Sequence, residues 1–401
     1  MTEAVDIALW DELAGQEEAI AAARAAASGT EAMTHSWLMT GPPGSGRSTL
    51  ALAFATALLS DGTPGGIAAT RAQVEARSHP DLAVLATERV VITIDEVREL
   101  VKASQFAPSV SRHRVMVIED ADRMPERTSN VLLKALEEPP PRTVWILCAP
   151  SEADLLPTIR SRVRTVRLRV PAVEQVAELI ARRDGVPREL ADVAAREAQS
   201  HIGMAHRLAT NAQARARRAE TLEVALGVRT VAQAVAGAAR LLELAGEDAT
   251  AITAERDAEE RERALRSLGV EPGGTVPPAL RGQLKALEED QRRRATRSLR
   301  DGIDRIIVDL LSLHRDVLLV QLGAGSPLVN EAIRERVEDA ARAADAARTL
   351  AAIDAIQTAR ERVEANVAPA LALEAMLTAL RSRPAAPEGV ARPRPAAAGA
   401  T

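Results

Sequence analysis

The sequence predicts an α/β domain, a parallel sheet with helices on both faces, followed by an all-helical remainder. Three observations carry this. Apolar, β-rich runs alternate with helical patterns as far as about residue 170, a glycine-rich loop follows the first run directly, and beyond Pro171 the strand signal gives way to Ala/Leu/Arg helical periodicity. A chain of 401 residues, 46% of them hydrophobic, can build two or three domains with cores of their own. Much of that apolar content is alanine and leucine, with two Phe, three Trp and no Tyr, which favours helices packed on small side chains over aromatic-rich β structure.

In chain order, the strand candidates are Leu38–Thr40, Leu82–Leu85, Arg114–Ile118, Val144–Cys148 and Arg164–Leu168, each bounded by turn or polar residues. Helical patterns between most of them imply crossovers, hence a parallel sheet buried on both sides. Val173–Arg182 and Pro187–Ser200 read as short helices, and long helices dominate from about residue 215. The clearest places Ile303, Ile306, Ile307, Leu310, Leu313, Val317 and Val320 on one face and stops at Gly323-Ala-Gly325. Residues 384–401, rich in Pro and Ala without an apolar period, read as a disordered tail.

The net charge of −5 argues against a chain that holds DNA by its overall charge. No secretory segment and no apolar run of membrane length is read, and the single cysteine, Cys148, cannot form an internal disulfide, so a soluble cytoplasmic protein without membrane partners is expected. Inside an apolar strand, Cys148 reads as an inert core thiol.

Gly41-Pro-Pro-Gly44-Ser-Gly46-Arg47-Ser48 has the frame of a phosphate-binding loop, preceded by the apolar Trp37-Leu38-Met39 and followed by Thr49–Leu59, a strong helix former. In such loops glycines let backbone N–H groups close on phosphate oxygens, a lysine reaches the β/γ-phosphates, and a hydroxyl holds Mg²⁺. Arg47 keeps the charge on a wider planar head, which binding tolerates better than fast hydrolysis. An arginine-rich composition also accounts for it, since the chain has only three lysines, Lys102, Lys134 and Lys285. The second signal is Val115-Met-Val-Ile118-Glu119-Asp120, an apolar strand ending in acids, where one carboxylate would hold Mg²⁺ and another orient water. The usual order is Asp then Glu; here it is reversed, so both carboxylates are expected at altered reach.

Together with Trp10-Asp-Glu-Leu-Ala-Gly-Gln16, His35-Ser-Trp-Leu38, Ile118-Glu-Asp-Ala-Asp-Arg-Met124, Asn130-Val-Leu-Leu-Lys-Ala-Leu-Glu-Glu-Pro-Pro140 and Leu156-Pro-Thr-Ile-Arg-Ser-Arg162, these motifs resemble the delta-prime family of bacterial DNA polymerase III clamp loaders, within the AAA+ group. The stretch from Leu287 to Leu318 also resembles that family's C-terminal region. The resemblance implies an AAA+ domain at 1–170, a helical lid at 171–213 and an α-helical collar at 214–383, ahead of the tail at 384–401. It implies a stator in DNA replication, with little or no ATPase of its own, that helps load the sliding clamp onto primed DNA beside gamma/tau motor subunits and the delta subunit. It would count as part of a nucleotidyltransferase only by membership of the polymerase complex. Arg162 would be the arginine offered in trans to a neighbour's ATP.

The chain's own degenerate nucleotide site would comprise Gly41, Gly44, Gly46, Arg47, Ser48, Thr49, Glu119, Asp120 and, on the lid, Arg207. ATP, with Mg²⁺, stays open as its ligand. The γ-phosphate sensor falls on Ala149-Pro150-Ser151, where the first two side chains donate nothing and Ser151 is expected out of place. Val163 replaces the family's cysteine after the arginine, and Asp61–Pro80 lacks the four cysteines that hold zinc in many relatives, so no zinc is expected. The run Arg292-Arg293-Arg294 with Arg297 and Arg300 is balanced by nearby acids, lacks aromatics, and reads as a solvated collar face ahead of a DNA contact. An autonomous AAA+ ATPase of helicase type remains the alternative; the reversed acids and missing sensor favour the stator.

Overall fold

The computed structural model describes residues 9–29, 34–87, 90–267 and 281–381. The predicted tail at 384–401 lies outside the described residues. The chain divides into two compact units, one formed by 1–215 with 253–298 and the other by 216–252 with 299–401.

The first unit is built on a five-stranded parallel sheet of order β2-β3-β4-β1-β5. Its strands are β1 (Ser36–Thr40), β2 (Leu82–Leu85), β3 (Arg114–Ile118), β4 (Thr143–Ala149) and β5 (Arg164–Arg167), each within two residues of the expected bounds. The three central strands are apolar on both faces, as a sheet covered on both sides requires. Trp37, Met39, Val115, Val117, Ile146 and Cys148 enter one core with the helices α1 (Glu17–Ser28) and α2 (Arg47–Leu59). Leu38, Met116, Ile118, Trp145 and Leu147 enter the other, with α4 (Ile94–Ser104) and α5 (Glu126–Glu137). This alternation is the period of two of a β-strand. In α5, Leu132 and Leu136 are buried against the sheet and Leu133 is half-buried, and the helix ends ahead of Pro139 and Pro140. Trp37 meets Phe54 edge to face, centroids 5.2 Å apart.

Between α2 and β2, α3 (Pro64–Glu75) starts with proline in its first turn and a Thr63 cap on the Gly66 N–H. The cysteine-free segment 61–80 is thus held by packing: Ile67 and Val74 are buried, and Arg71 pairs with Glu12 and Glu75. Asp81, fully buried at the start of β2, accepts the backbone N–H groups of Ser109, Val110 and Ser111 at 2.6 to 2.8 Å and the Ser109 hydroxyl at 2.8 Å. It thereby fastens the loop before β3. After β5, α7 (Val173–Asp184), α8 (Arg188–Glu197) and α9 (Ile202–Thr210) form a small core of their own around Val176, Ile180, Ala191 and Leu208. A four-residue α6 (Pro157–Arg160) lies between β4 and β5.

The second unit is all-helical, with α10 (Ala212–Gly227), parts of α11 (Val231–Ser267) and α12 (Arg281–Gln321), then α13 (Arg334–Ala343), α14 (Ala346–Glu364) and α15 (Pro369–Leu380). The predicted face of α12 is its core: Ile303, Ile306, Ile307, Leu310, Leu313 and Val317 are buried and Val320 is half-buried. A buried polar group sits beside it, where Asp316 accepts the Asn330 N–H at 2.7 Å and Arg218 pairs with Asp309 at 2.9 Å. No helix among the described residues is long and apolar enough to cross a membrane.

Candidate functional site

Because the strands are parallel, their carboxyl ends share one edge of the sheet, and β4 separates β1 from β3 there. The glycine-rich loop leaves β1 at Thr40 and runs into α2, whose first residue is Arg47. Gly44 at φ +78° and Gly46 at φ +96° hold left-handed backbone that a side chain would strain. Their surroundings are equally restrictive: a Cβ at Gly44 would lie 2.2 Å from the His201 ring and one at Gly46 2.9 Å from Leu13. The three-helix segment after β5 thus meets the loop at the start of α9, where the Ile202 N–H also donates to Gly44 O at 3.1 Å. From below, the buried Gln16 amide donates to Arg169 O at 2.8 Å and to Ser45 O at 3.4 Å.

The polar side chains of the loop are used locally. Arg47 Nη1 donates to Gly41 O, so the guanidinium turns back on the loop's own backbone. Ser48 Oγ donates to Glu119 Oε2 at 3.1 Å. The reversed acid order therefore does not take Glu119 out of reach, because its longer side chain spans the gap. Glu119 Oε1 in turn accepts Arg77 Nη2 at 2.9 Å, while Asp120, in left-handed backbone at φ 52°, pairs with Arg297 at 2.7 Å and Arg123 at 3.5 Å. Burial pushes the nearby Asp122 carboxyl up. Burial also raises the Cys148 thiol, whose Sγ faces Arg47 O at 3.9 Å, in keeping with an inert core thiol.

Ser151 is spent as a cap: its Oγ accepts the Ala153 N–H at 3.2 Å, and Pro150 O accepts the Gly41 N–H. Thr49 lines a cavity of about 250 Å³ with Ser48, Arg77 and Glu119. Arg207 is half-buried in the second half of α9. The basic run differs from the solvated face expected of it. Arg294 is buried and donates to Asp257 at 2.7 Å, Arg297 holds Asp120, and Arg300 donates to Asn366. Two acids and an amide within the chain satisfy these three cations.

Arg162 lies just past α6, away from this loop in sequence. Its Nε donates to Glu137 Oε1 at 2.7 Å and its Nη1 to Thr158 O at 2.7 Å and Ser161 Oγ at 2.9 Å. With 34% of its side chain exposed, it is a surface guanidinium held in one orientation by the end of α5. Arg77, Arg297, His201 and Gln16 are not among the nucleotide-site residues expected from the sequence; Gln16 falls within a motif and Arg297 within the basic run.

A phosphate and a divalent cation make different demands on this site. The backbone of the loop, with its two left-handed glycines ahead of a helix N-terminus, fits a phosphate. The acid pair does not fit a divalent cation, because each carboxylate already holds a guanidinium and Ser48 donates to Glu119.

A glycine-rich loop between a central parallel strand and a helix, with an acid at the tip of a second strand, defines the phosphate-loop class of α/β domains. Residues 15–172 match the family described as DNA polymerase III, delta subunit. The chain is 32% identical over 182 residues to the DNA polymerase III subunit delta' of Pseudomonas aeruginosa, covering 44% of this chain and 51% of that protein. It is 34% identical over 117 residues to the subunit delta' of Haemophilus influenzae, covering 29% and 36%. It is 28% identical over 194 residues to the subunit gamma/tau of Mycobacterium tuberculosis, covering 44% and 31%. The family match and the two delta' relatives bear out the delta-prime resemblance over residues 15–172. The chain spans about half the length, or less, of these curated relatives.

Proposed function

We propose that the chain is the stator of a DNA polymerase III clamp loader: a delta-prime subunit that helps place the sliding clamp on primed DNA and offers Arg162 to a neighbouring motor subunit's ATP. The observation that carries this reading is the contrast between its two candidate sites. In its own loop Arg47, Ser48, Glu119 and Asp120 are all committed to partners within the chain. Arg162 instead sits at the surface, oriented by Glu137. A guanidinium oriented in advance is what stabilising charge on a transferring γ-phosphoryl group requires. In this reading 1–170 is the AAA+ domain, 171–213 the lid and 214–383 the collar, with gamma/tau, delta, clamp and primed DNA as partners. A nucleotide in the chain's own loop would be held by the backbone of Gly41, Gly44 and Gly46 and serve assembly, with Thr49 and Arg207 beside it.

Co-assembly tests the proposal. Mixed with gamma/tau and delta subunits of its own cell, the full chain should enter a hetero-oligomer, read by native mass spectrometry. A chain that stays apart from both while remaining folded would overturn the assignment.

A further inference from the structure

The two arginines at the tip of β3 come from distant parts of the chain, and the stator reading does not require them. Arg77 follows α3, 42 residues before Glu119, and Arg297 lies on α12, 177 residues after Asp120. The pairs are short, at 2.9 and 2.7 Å, and three of the four side chains are at most 29% exposed. Two of the four residues, Arg77 at φ 53° and Asp120 at φ 52°, hold left-handed backbone. For residues other than glycine this costs roughly 1 kcal/mol or more and persists where the surroundings enforce it, commonly at functional sites. Ser48 adds a third observation: the hydroxyl that would give a lone pair to a metal points its proton at Glu119.

The charges balance in the same sense. Glu119 and Asp120 offer two carboxylates, which one divalent cation would neutralise; here Arg77 and Arg297 meet them at hydrogen-bond distance, with Arg123 also 3.5 Å from Asp120. We infer that Arg77 and Arg297 stand in for the divalent cation at this strand tip, forming a built-in cationic clamp that keeps the chain's own site from taking metal. The acids thereby change from metal ligands into anchors that fasten the segment after α3, and the part of α12 that belongs to the first unit, to the sheet. This deepens the stator reading, and rests on it only in treating the loop as a descendant of a nucleotide site.

Mn²⁺ alone, followed by electron paramagnetic resonance on the full chain, tests the clamp. In the native sequence, Glu119→Gln should leave Mn²⁺ binding unchanged. The variant Arg77→Ala with Arg297→Ala should gain one Mn²⁺ bound at least about tenfold more tightly than by the native chain, and lose it when Glu119→Gln is added. A native chain with a Mn²⁺ site that Glu119→Gln removes would overturn the inference, as would a double variant with native circular dichroism and no gain. If the double variant does not fold, Arg77→Gln with Arg297→Gln, which drops both charges and keeps an amide donor at each position, gives the same readout: a gained, Glu119-dependent Mn²⁺ supports the clamp and its absence overturns it. Co-assembly with motor subunits does not enter this measurement, so the stator reading and the clamp fail separately.

Discussion

In a loader reconstituted with the full chain, Arg162→Ala should lower the ATPase stimulated by DNA and clamp on the order of tenfold or more, since an arginine offered in trans contributes roughly 10³ or more at the site it serves. The total rate should fall by less than that of the single site if other subunits keep arginines of their own. Folding and assembly should survive, as a partly exposed ion pair such as Arg162–Glu137 is worth about 1 kcal/mol or less. Arg162→Lys should recover only part of the rate, because an ammonium lacks the planar fork that grips two oxygens at once. Glu137→Ala frees the guanidinium from its orienting partner and should cost less than Arg162→Ala. A loader with Arg162→Ala that hydrolyses ATP at the native rate would remove this residue from the mechanism.

The largest effect on stability should come from Asp81→Ala. The carboxylate is fully buried, and its loss would leave three backbone N–H groups and the Ser109 hydroxyl without their acceptor, and Arg114 without an acid 3.6 Å away. Removing one member of such a buried charged network costs about 3–5 kcal/mol, which a denaturant titration of the first unit's unfolding transition would read. The same geometry sets a pH dependence. Burial works to raise the Asp81 carboxyl, but the N–H groups of Ser109, Val110 and Ser111 outweigh it and hold it at about 2. A group lowered on folding stabilises above its unfolded value, so this contribution is complete above about pH 4 and fades as pH falls toward 2. The stability gap between the native chain and Asp81→Asn should narrow over that window; a gap constant across it would mean that Asp81 is not held as an anion.

The parts of this fold that the sequence disclosed are those with a local period. Trp37-Leu38-Met39 and Val115-Met-Val-Ile118 are apolar without interruption, as only strands covered on both faces are, and they lie centrally in the sheet. The bounds moved where a turn residue decides them: α2 begins at Arg47, two residues before the expected start, because left-handed Gly46 is its cap. Along α12 the apolar stripe from Ile303 to Val320 was legible, whereas its start at Arg281 was not, since the charged stretch from Arg292 to Arg294 carries no stripe. The site divides in the same way. The loop and Glu119 announce themselves by contiguous motifs, and Arg162 by its place after a family-specific run. Arg77 belongs to no motif and Arg297 only to a basic run that reads as solvated, and their partners are 42 and 177 residues away. A charge paired only through the tertiary fold looks, in a chain with 51 Lys and Arg, like any other surface cation.

The central claim is that this chain serves another subunit's chemistry and performs none of its own. Steady-state ATP hydrolysis by the isolated full chain, with Mg²⁺ present, tests that most directly. The account predicts a rate indistinguishable from that of a chain carrying Asp120→Ala, because Asp120 is already held by Arg297 and Arg123 and Arg47 is turned onto Gly41. Turnover at a motor enzyme's rate, abolished by Asp120→Ala, would contradict it.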